Sequence, residues 1–529
     1  MPTGQSPDYL AAAVEPTSST LDTDIVIVGS GMGGSTAAWA LRDAGLRVLV
    51  VERGDFMPEE RQRGDVDEVY TKKRYKNAEN WYDGSNNKPF APGVYYWVGG
   101  NTKVYGACLP RFRAEDFIDR PLHDGNSPAW PFTYDELEPH YAAIEDLFEV
   151  RGSLGEDPTE PRHSTEYPAP ALPHEPAIQR LADGFAKQGL RPFHMPNAMN
   201  LVTQADRDKE AISDGAPSAA GLKGDAEVRA LRPALASGNV SILTRALVTE
   251  VLTDASGERA TGLRVERDGD ELTITARTVV LSAGAVNTAV LLLRSKSAAH
   301  PDGLANGSGL VGRNYMVHNS TFFMGLNPFR KNLTSWQKTL GLNDWYNPTR
   351  GHKFPLGNVQ MLGKLRGPMV KGVKPWVPMF LLNLITDRTV DLYLTTEDLP
   401  DPNNRVRVDG KSIVIDWKPN NLAPHEELVR EVSRAVRRAG YPIILTERMQ
   451  IATNSHQCGT AVAGTDPKRS VLDRDCRAHE VANLWVIDGS FFPSSAALNP
   501  ALTIAANTLR VAPKIVESTR RLVAERTTS

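Results

Sequence analysis

The first strongly patterned stretch is "DIVIVGSGMGGSTAAWALRDAGLRVLVVERG", where a fully apolar run meets glycines, then an Ala-rich run, then a second apolar run that stops at Glu52. Apolar runs without alternation suit strands buried on both faces, so the order strand, helix, strand predicts a βαβ unit. Residues 55–100 are polar and aromatic with weak periodicity, which predicts long loops and a lid. "GEDPTEPRHSTEYPAPALP" and "TQADRDKEAISDGAPSAAGLKGD" predict surface connections around a second subdomain. From Asn239 the pattern turns to strands, in "VSILTRALVTEVLTD" and "TGLRVERDGDELTITARTVVLSAG", with Asp268-Gly269 as a hairpin turn. A helix follows near Asn287, and "DLYLTTEDLPDPNNRVRVDGKSIVIDW" supplies more strands. In "PHEELVREVSRAVRRAG", Leu428, Val432 and Val436 form one apolar helical face closed by Gly440. Near the end, "NLWVIDGSFFPSSAALNPALTIAANTLR" reads as a strand stopping at Asp488-Gly489 and a helix starting around Asn499-Pro500. Pro suits a first helical position because its missing N–H would be unpaired there anyway.

Composition narrows the class without changing that order. At 529 residues the chain is too long for one core, and two connected domains with discontinuous segments are expected. Hydrophobic residues at 41% and charged residues at 23% are the balance of a soluble globular protein, and a net charge of -3 invites no nucleic acid. The run "VVLSAGAVNTAVLLL" is interrupted and too short for a membrane span. Three separated cysteines without C-x-x-C spacing, and no Lys or Arg before Arg42, point to a cytoplasmic home. Residues 1–20 read as a frayed, flexible leader.

The glycines carry the first chemistry. Gly29, Gly31 and Gly34 fit G-x-G-x-x-G between a strand and a helix, with an acid, Glu52, ending the second strand. Gly29 permits the tight turn, Gly31 lets backbone approach a pyrophosphate, Gly34 lets helix and strand pack closely, and Glu52 accepts from ribose hydroxyls. The fingerprint reads adenosine diphosphate and leaves NAD or FAD open. A second glycine turn, "YYWVGGNTKVYGACLPR", contains Gly99, Gly100 and Gly106, and "VVLSAGAVNTAVLL" turns at Gly284 into a helix.

These segments, with "WPFTYDELEPHY", the Gly312-Arg313-Asn314 turn, "EDLPDPNNRV" and the terminal Asp488-Gly489-Ser490 block, together resemble the glucose-methanol-choline family of FAD-dependent oxidoreductases over most of the chain. The resemblance implies an α/β (α+β overall) fold, with a Rossmann-like FAD-binding domain and a discontinuous antiparallel-sheet substrate-binding domain. Residues 21–60, 91–150, 236–316 and 451–525 would form the first, 151–235 and 317–450 the second, and 61–90 a lid-like insertion. It implies cofactor contacts at Gly99, Gly100, Asn101, Thr102, Tyr105 and Gly106, at Val248, Ala283 and Gly284, and at Asp488, Gly489 and Pro500, beside the fingerprint residues. Family members place a catalytic histidine before a Gly-Thr pair and a second His or Asn ahead of the last helix; His456 and Asn499 match these positions. The His-Asn pair and "VGGNTKVYGA" resemble pyranose 2-oxidases and bacterial glycoside 3-oxidases. Covalently flavinylated relatives carry His where this chain has Val104, which implies non-covalent FAD.

An alcohol gives up a hydride from carbon and a proton from oxygen, and its hydroxyl is too weak an acid to lose that proton unaided at neutral pH. A histidine, with an ordinary pKa of about 6.5, can take it while an amide holds the oxygen. Such help is worth roughly 100- to 10,000-fold. The resemblance implies oxidation of a secondary pyranose hydroxyl, at C3 of a glycoside or C2 of a free sugar, with O2 or a quinone as acceptor, and no metal is expected. The rivals are a dehydrogenase with a non-oxygen acceptor, a flavin-dependent lyase of the same fold, and a flavoprotein with a purely structural or binding role. Trp81, Tyr82, Phe90, Tyr95, Tyr96 and Trp97, together with the region from Trp336 to Trp376, offer aromatic surface for a sugar or for ordinary packing. The chain is read as a monomer or a homo-oligomer, both left open.

Overall fold

A computed structural model describes residues 8–372 and 374–527. The predicted βαβ unit is strand Thr20–Val28, helix Met32–Leu41 and strand Val48–Val51. Its two strands pair in parallel, Val28 opposite Val51, within a seven-stranded sheet. Val240–Leu243, Asp270–Leu281 and Leu484–Val486 join in the same direction, with Val28 level with Leu281 and Leu281 level with Val486. The carboxyl ends of four of these strands therefore open at one level, into Gly29, Glu52, Ser282 and Ile487. That edge is where parallel sheets bind their ligands.

Ala260–Arg267 and Ala246–Thr253 complete the sheet as antiparallel strands. Asp268 and Gly269 lie between Ala260–Arg267 and Asp270–Leu281 with φ of +52° and +93°, the two left-handed positions that a type I′ hairpin turn demands.

The second sheet has six strands, all antiparallel: Ile443–Arg448, Asn319–Leu326, Thr389–Thr396, Asn358–Met361, Leu340–Leu342 and Pro192–His194. Helix Leu422–Arg438 covers it through the fully buried Leu428, Val432 and Val436, the apolar face expected from the sequence. The final helix starts at Ala501, one residue beyond Pro500, whose carbonyl accepts from Ile504 N–H at 3.0 Å.

Two expectations change. Within the stretch read as loops, Trp81–Asp83 and Lys88–Phe90 form a hairpin that joins Arg405–Asp409 and Ser412–Asp416 in a four-stranded sheet. The leader is also anchored from residue 8 onward. Asp8–Ala12 is a 3-10 turn, Val14 N–H donates to the Ile242 carbonyl at 2.8 Å, and the Tyr9 ring sits 4.5 Å from the Arg232 guanidinium. Edge strand Val240–Leu243 leaves backbone groups to be satisfied, and a short polar segment can do this without any periodicity. Residues 1–7 of that leader lie outside the described residues.

Among the described residues no helix is long and apolar enough to cross a membrane. All three cysteines are free and buried.

Candidate active site

Strand Thr20–Val28 runs out at Gly29, whose φ of +94° would strain any side chain, and a Cβ there would also meet the Ser282 carbonyl oxygen at 2.4 Å. Helix Met32–Leu41 follows, with Gly31 at its cap and no side chain bonded to its first N–H groups. A Cβ on Gly31 would meet nothing within 4 Å, so the uncapped helix end faces open space. Unpaired N–H groups and the positive end of the helix dipole make this a seat for a pyrophosphate. Gly34 lies away from that space. A Cβ on it would stand 1.9 Å from the Gly29 carbonyl oxygen, so it serves the close packing of helix on strand.

Glu52 is more engaged than a free ribose acceptor would be. Its Oε2 accepts from Ser30 N–H at 2.9 Å and Ser30 Oγ at 2.6 Å, and its Oε1 accepts from Gly54 N–H at 2.8 Å. Gly99 N–H donates to the same Ser30 Oγ at 3.0 Å, which ties the second glycine turn to the first. A carboxylate has about four acceptor sites, so one remains for a ligand. Below that turn Lys103 is buried between Asp225 at 2.8 Å and Glu227 at 2.6 Å. Asn101, Thr102 and Tyr105 likewise spend their side-chain groups on the protein, Asn101 Oδ1 accepting from Tyr95 N–H and Tyr105 Oη donating to the Gly224 carbonyl. Asp488 joins the end of the chain to the Gly284 turn, accepting from Gly284 N–H at 2.9 Å and from Thr288, and also from Ser490. Burial pushes its pKa up against these four bonds.

One cavity of about 1180 Å³ begins at these turns and continues to His456, Asn499 and Trp376. It exceeds the roughly 300–1,000 Å³ usual for a single small molecule, so a dinucleotide and a second ligand have room. Every cofactor residue expected from the sequence lines it except Gly34 and Gly99, which sit behind the lining. Val104, the position where a tethering histidine would stand, contributes an aliphatic side chain to the wall.

The Gly-Thr pair explains how His456 reaches this space. Cys458 pairs with Met316 in an antiparallel bridge, Gly312 N–H donates to the Thr460 carbonyl at 2.7 Å, and Thr460 Oγ1 donates to the Ala285 carbonyl at 2.6 Å. The segment is thus held between the Gly312-Arg313-Asn314 turn and the helix that starts after Gly284. The His456 ring lines the cavity, while its Nδ1 is buried with no hydrogen-bond partner. Burial first, then the nearby His318 and Lys338, hold its pKa well below the usual histidine value. The His318 ring stands edge-on to it at 5.2 Å, with Nδ1 paired to the Ala496 carbonyl at 3.1 Å.

Asn499 Oδ1 accepts from Gln360 Nε2 at 2.8 Å, and Asn499 lines the cavity. Sequence reasoning passed over Gln360. It also passed over Tyr393, whose ring is 6.1 Å from His456, and the Lys338–Asp214 pair at 3.0 Å, all on or beside the six-stranded sheet. Burial opposes the charge of Lys338, and Asp214 more than offsets it, so its pKa is raised. Only the aromatic and basic character between Trp336 and Trp376 hinted at this wall. Of the earlier aromatics, Tyr95 and Tyr96 line the cavity, whereas Trp81 is fully buried core packed against Phe90.

Comparison with known proteins gives the following. The family model described as GMC oxidoreductase matches residues 69–320 with its N-terminal part and 400–508 with its C-terminal part. A model of an NAD(P)-binding Rossmann-like domain matches residues 27–57. Paromamine 6'-oxidase of Streptomyces fradiae is 30% identical over 93% of this chain and 91% of its own length. The fructose dehydrogenase large subunit of Gluconobacter japonicus is 26% identical over 95% of this chain and 99% of its own. Among solved structures, pyridoxine 4-oxidase from Mesorbium loti superposes with a TM-score of 0.66 at 21% identity, covering 93% of this chain and 99% of that one, a likeness of fold.

Proposed function

The chain belongs to the GMC oxidoreductase family of FAD-binding flavoproteins, and from that premise we propose that it oxidises a hydroxyl of a pyranose sugar or glycoside, with His456 as base and Asn499 as the donor that holds the reacting oxygen. The observation that carries this reading is the single cavity that holds the uncapped helix end at Gly31 and, further along, the imidazole and amide. The residues fit FAD: the helix end takes the pyrophosphate, Glu52 keeps one acceptor site for the ribose, and Val104 offers no histidine for a covalent link, so FAD is held non-covalently. Bound there, FAD supplies a two-electron acceptor.

The protein's own groups do the rest. His456, kept neutral by its surroundings, accepts the hydroxyl proton, and Asn499 Nδ2 donates to the same oxygen and fixes its direction. The protonated imidazole then offsets negative charge that develops nearby. The resemblance of the His-Asn pair favours a ring hydroxyl, C3 of a glycoside or C2 of a free sugar. The relatives named for paromamine and fructose support a sugar as substrate, one being called an oxidase and the other a dehydrogenase. O2 or a quinone takes the electrons; a dehydrogenase with another acceptor is the second reading, favoured by the fructose dehydrogenase match.

The test is anaerobic mixing of the FAD-loaded chain with monosaccharides, O-glycosides, C-glycosides and aminosugars, followed at the flavin band. Bleaching by a sugar, slowed at least about 100-fold in His456→Ala with FAD retained, is expected. A flavin that no member of the panel bleaches, or a His456→Ala protein as fast as the parent, overturns the reading. NMR of the ketosugar gives the carbon, and oxygen uptake separates the two acceptors.

A further inference from the structure

Asn499 is the last member of a chain of buried amides that begins at a carboxylate outside the cavity. Asp157 is ion-paired with Arg113, and its Oδ1 accepts from Thr159 N–H at 2.9 Å and Thr159 Oγ1 at 2.8 Å. Its Oδ2 accepts from Asn343 Nδ2 at 2.8 Å. Asn343 Oδ1 accepts from Asn358 Nδ2 at 2.7 Å, and Asn358 Oδ1 from Gln360 Nε2 at 3.1 Å. The same Gln360 nitrogen gives its other hydrogen to Asn499 Oδ1 at 2.8 Å. Asn343, Asn358 and Gln360 are buried, and none of them lines the cavity. Asn358 and Gln360 sit two apart on strand Asn358–Met361, hence on one face of it.

An isolated amide can turn over at little cost, but this series cannot. A carboxylate paired with a guanidinium only accepts, so Asn343 must point its nitrogen at Asp157 and its oxygen onward. That oxygen demands the Asn358 nitrogen, and the Asn358 oxygen demands the Gln360 nitrogen. Turning any single member would set oxygen against oxygen and nitrogen against nitrogen in a buried place, where unmatched polar groups are costly. Gln360 Oε1 is itself buried without a partner, so the amide is held by its nitrogen alone.

We infer that Asn343, Asn358 and Gln360 are positioning residues: the Asp157 carboxylate, relayed through their amides, fixes Asn499 with its nitrogen toward the substrate, so that position 499 acts as a donor. The inference deepens the proposed function and rests on it for its kinetic test, while its geometric claim stands independently. The direction of the relay also assigns the chemistry it recognises, an oxygen that accepts a hydrogen bond as its own proton leaves for His456.

Two carboxylate substitutions one link apart test this. Gln360→Glu removes the donor to Asn499, so the Asn499 amide turns its nitrogen inward and presents oxygen to the substrate. Anaerobic flavin reduction by a sugar that bleaches the parent should fall at least about tenfold at alkaline pH. It should recover in part as pH falls, because the protonated carboxyl at 360 regains one of the two hydrogens that Gln360 donates. Asn358→Asp buries the same charge and still accepts from Gln360 but no longer donates to Asn343, so the rate should fall less than in Gln360→Glu. If Gln360→Glu does not retain FAD, Gln360→Met replaces it; an unoriented amide should then lose about two- to tenfold, independent of pH. Parent-like rates in the position-360 variant, equal losses at 358 and 360, or a Gln360→Glu loss that no pH relieves would each overturn the relay. A neutron structure of the parent protein gives an outcome separate from sugar oxidation: deuterons on Asn499 facing the cavity support the inference, and deuterons facing Gln360 overturn it.

Discussion

The two ends of the cavity are built from different material. The cradle at Gly29 is mostly backbone: strand ends, uncapped N–H groups and turns whose conformation excludes side chains, most of them within one βαβ unit. The far end is side chain: His456, Asn499, Gln360, Tyr393 and Lys338 come from separate strands and loops and meet only because the six-stranded sheet stands where it does. A backbone site tolerates almost no added atom but depends little on side-chain chemistry. A side-chain site should behave in the opposite way, grading its losses by chemistry while keeping its fold.

Gly34→Ala probes the first half of that contrast and carries the largest expected effect. One methyl group would lie 1.9 Å from the Gly29 carbonyl oxygen, so helix and strand must part at the cradle. Overpacking of this kind costs about 1–3 kcal/mol or more, and here it acts on the geometry of the pyrophosphate seat itself. The purified protein should be colourless, or at least about 100-fold weaker for FAD by equilibrium dialysis. A yellow protein of parent-like affinity would show that the cradle yields as readily as the far end.

The same contrast explains what the sequence disclosed. G-x-G-x-x-G, the Asp268-Gly269 turn and the 428, 432, 436 face are local patterns with one physical solution each, and the structure holds all three. His456 and Asn499 were picked out only because a family pattern attaches to their neighbours, and both line the cavity. Gln360 and Lys338 carry no local signature: a buried amide in a short strand looks like any polar residue until its partner 139 positions away is in place. The anchored residues 8–20 escaped for a similar reason, since their bonds to Ile242 and Arg267 supply an order that their own composition lacks.

The pH dependence of flavin reduction sharpens the chemical half. A base works while neutral, and burial, His318 and Lys338 all lower the His456 pKa. The neutral form therefore persists as pH falls through about 6.5, where an ordinary histidine would be half protonated. Stopped-flow reduction should stay level through that region and decline only well below it. Lys338→Met removes one of the charges responsible and should move the decline upward. A break at the ordinary histidine value in the parent would mean that the imidazole is solvated and that the two ends differ less than their construction suggests.

The smallest effect is expected from Tyr393→Phe, and it tests how far the side-chain site extends. The Tyr393 ring lies edge-on to His456 at 6.1 Å and lines the cavity, but its hydroxyl is buried and paired with Ser320 Oγ at 3.0 Å. Removing the oxygen keeps the wall and breaks one neutral hydrogen bond, a change of about 0.5–1.5 kcal/mol in stability. The rate of reduction by sugar should change less than about threefold, because nothing in contact with the reacting oxygen is lost. A fall of about 100-fold would instead put the phenol on that oxygen. The far end would then act through three groups, with the tyrosine sharing the donor role assigned to Asn499.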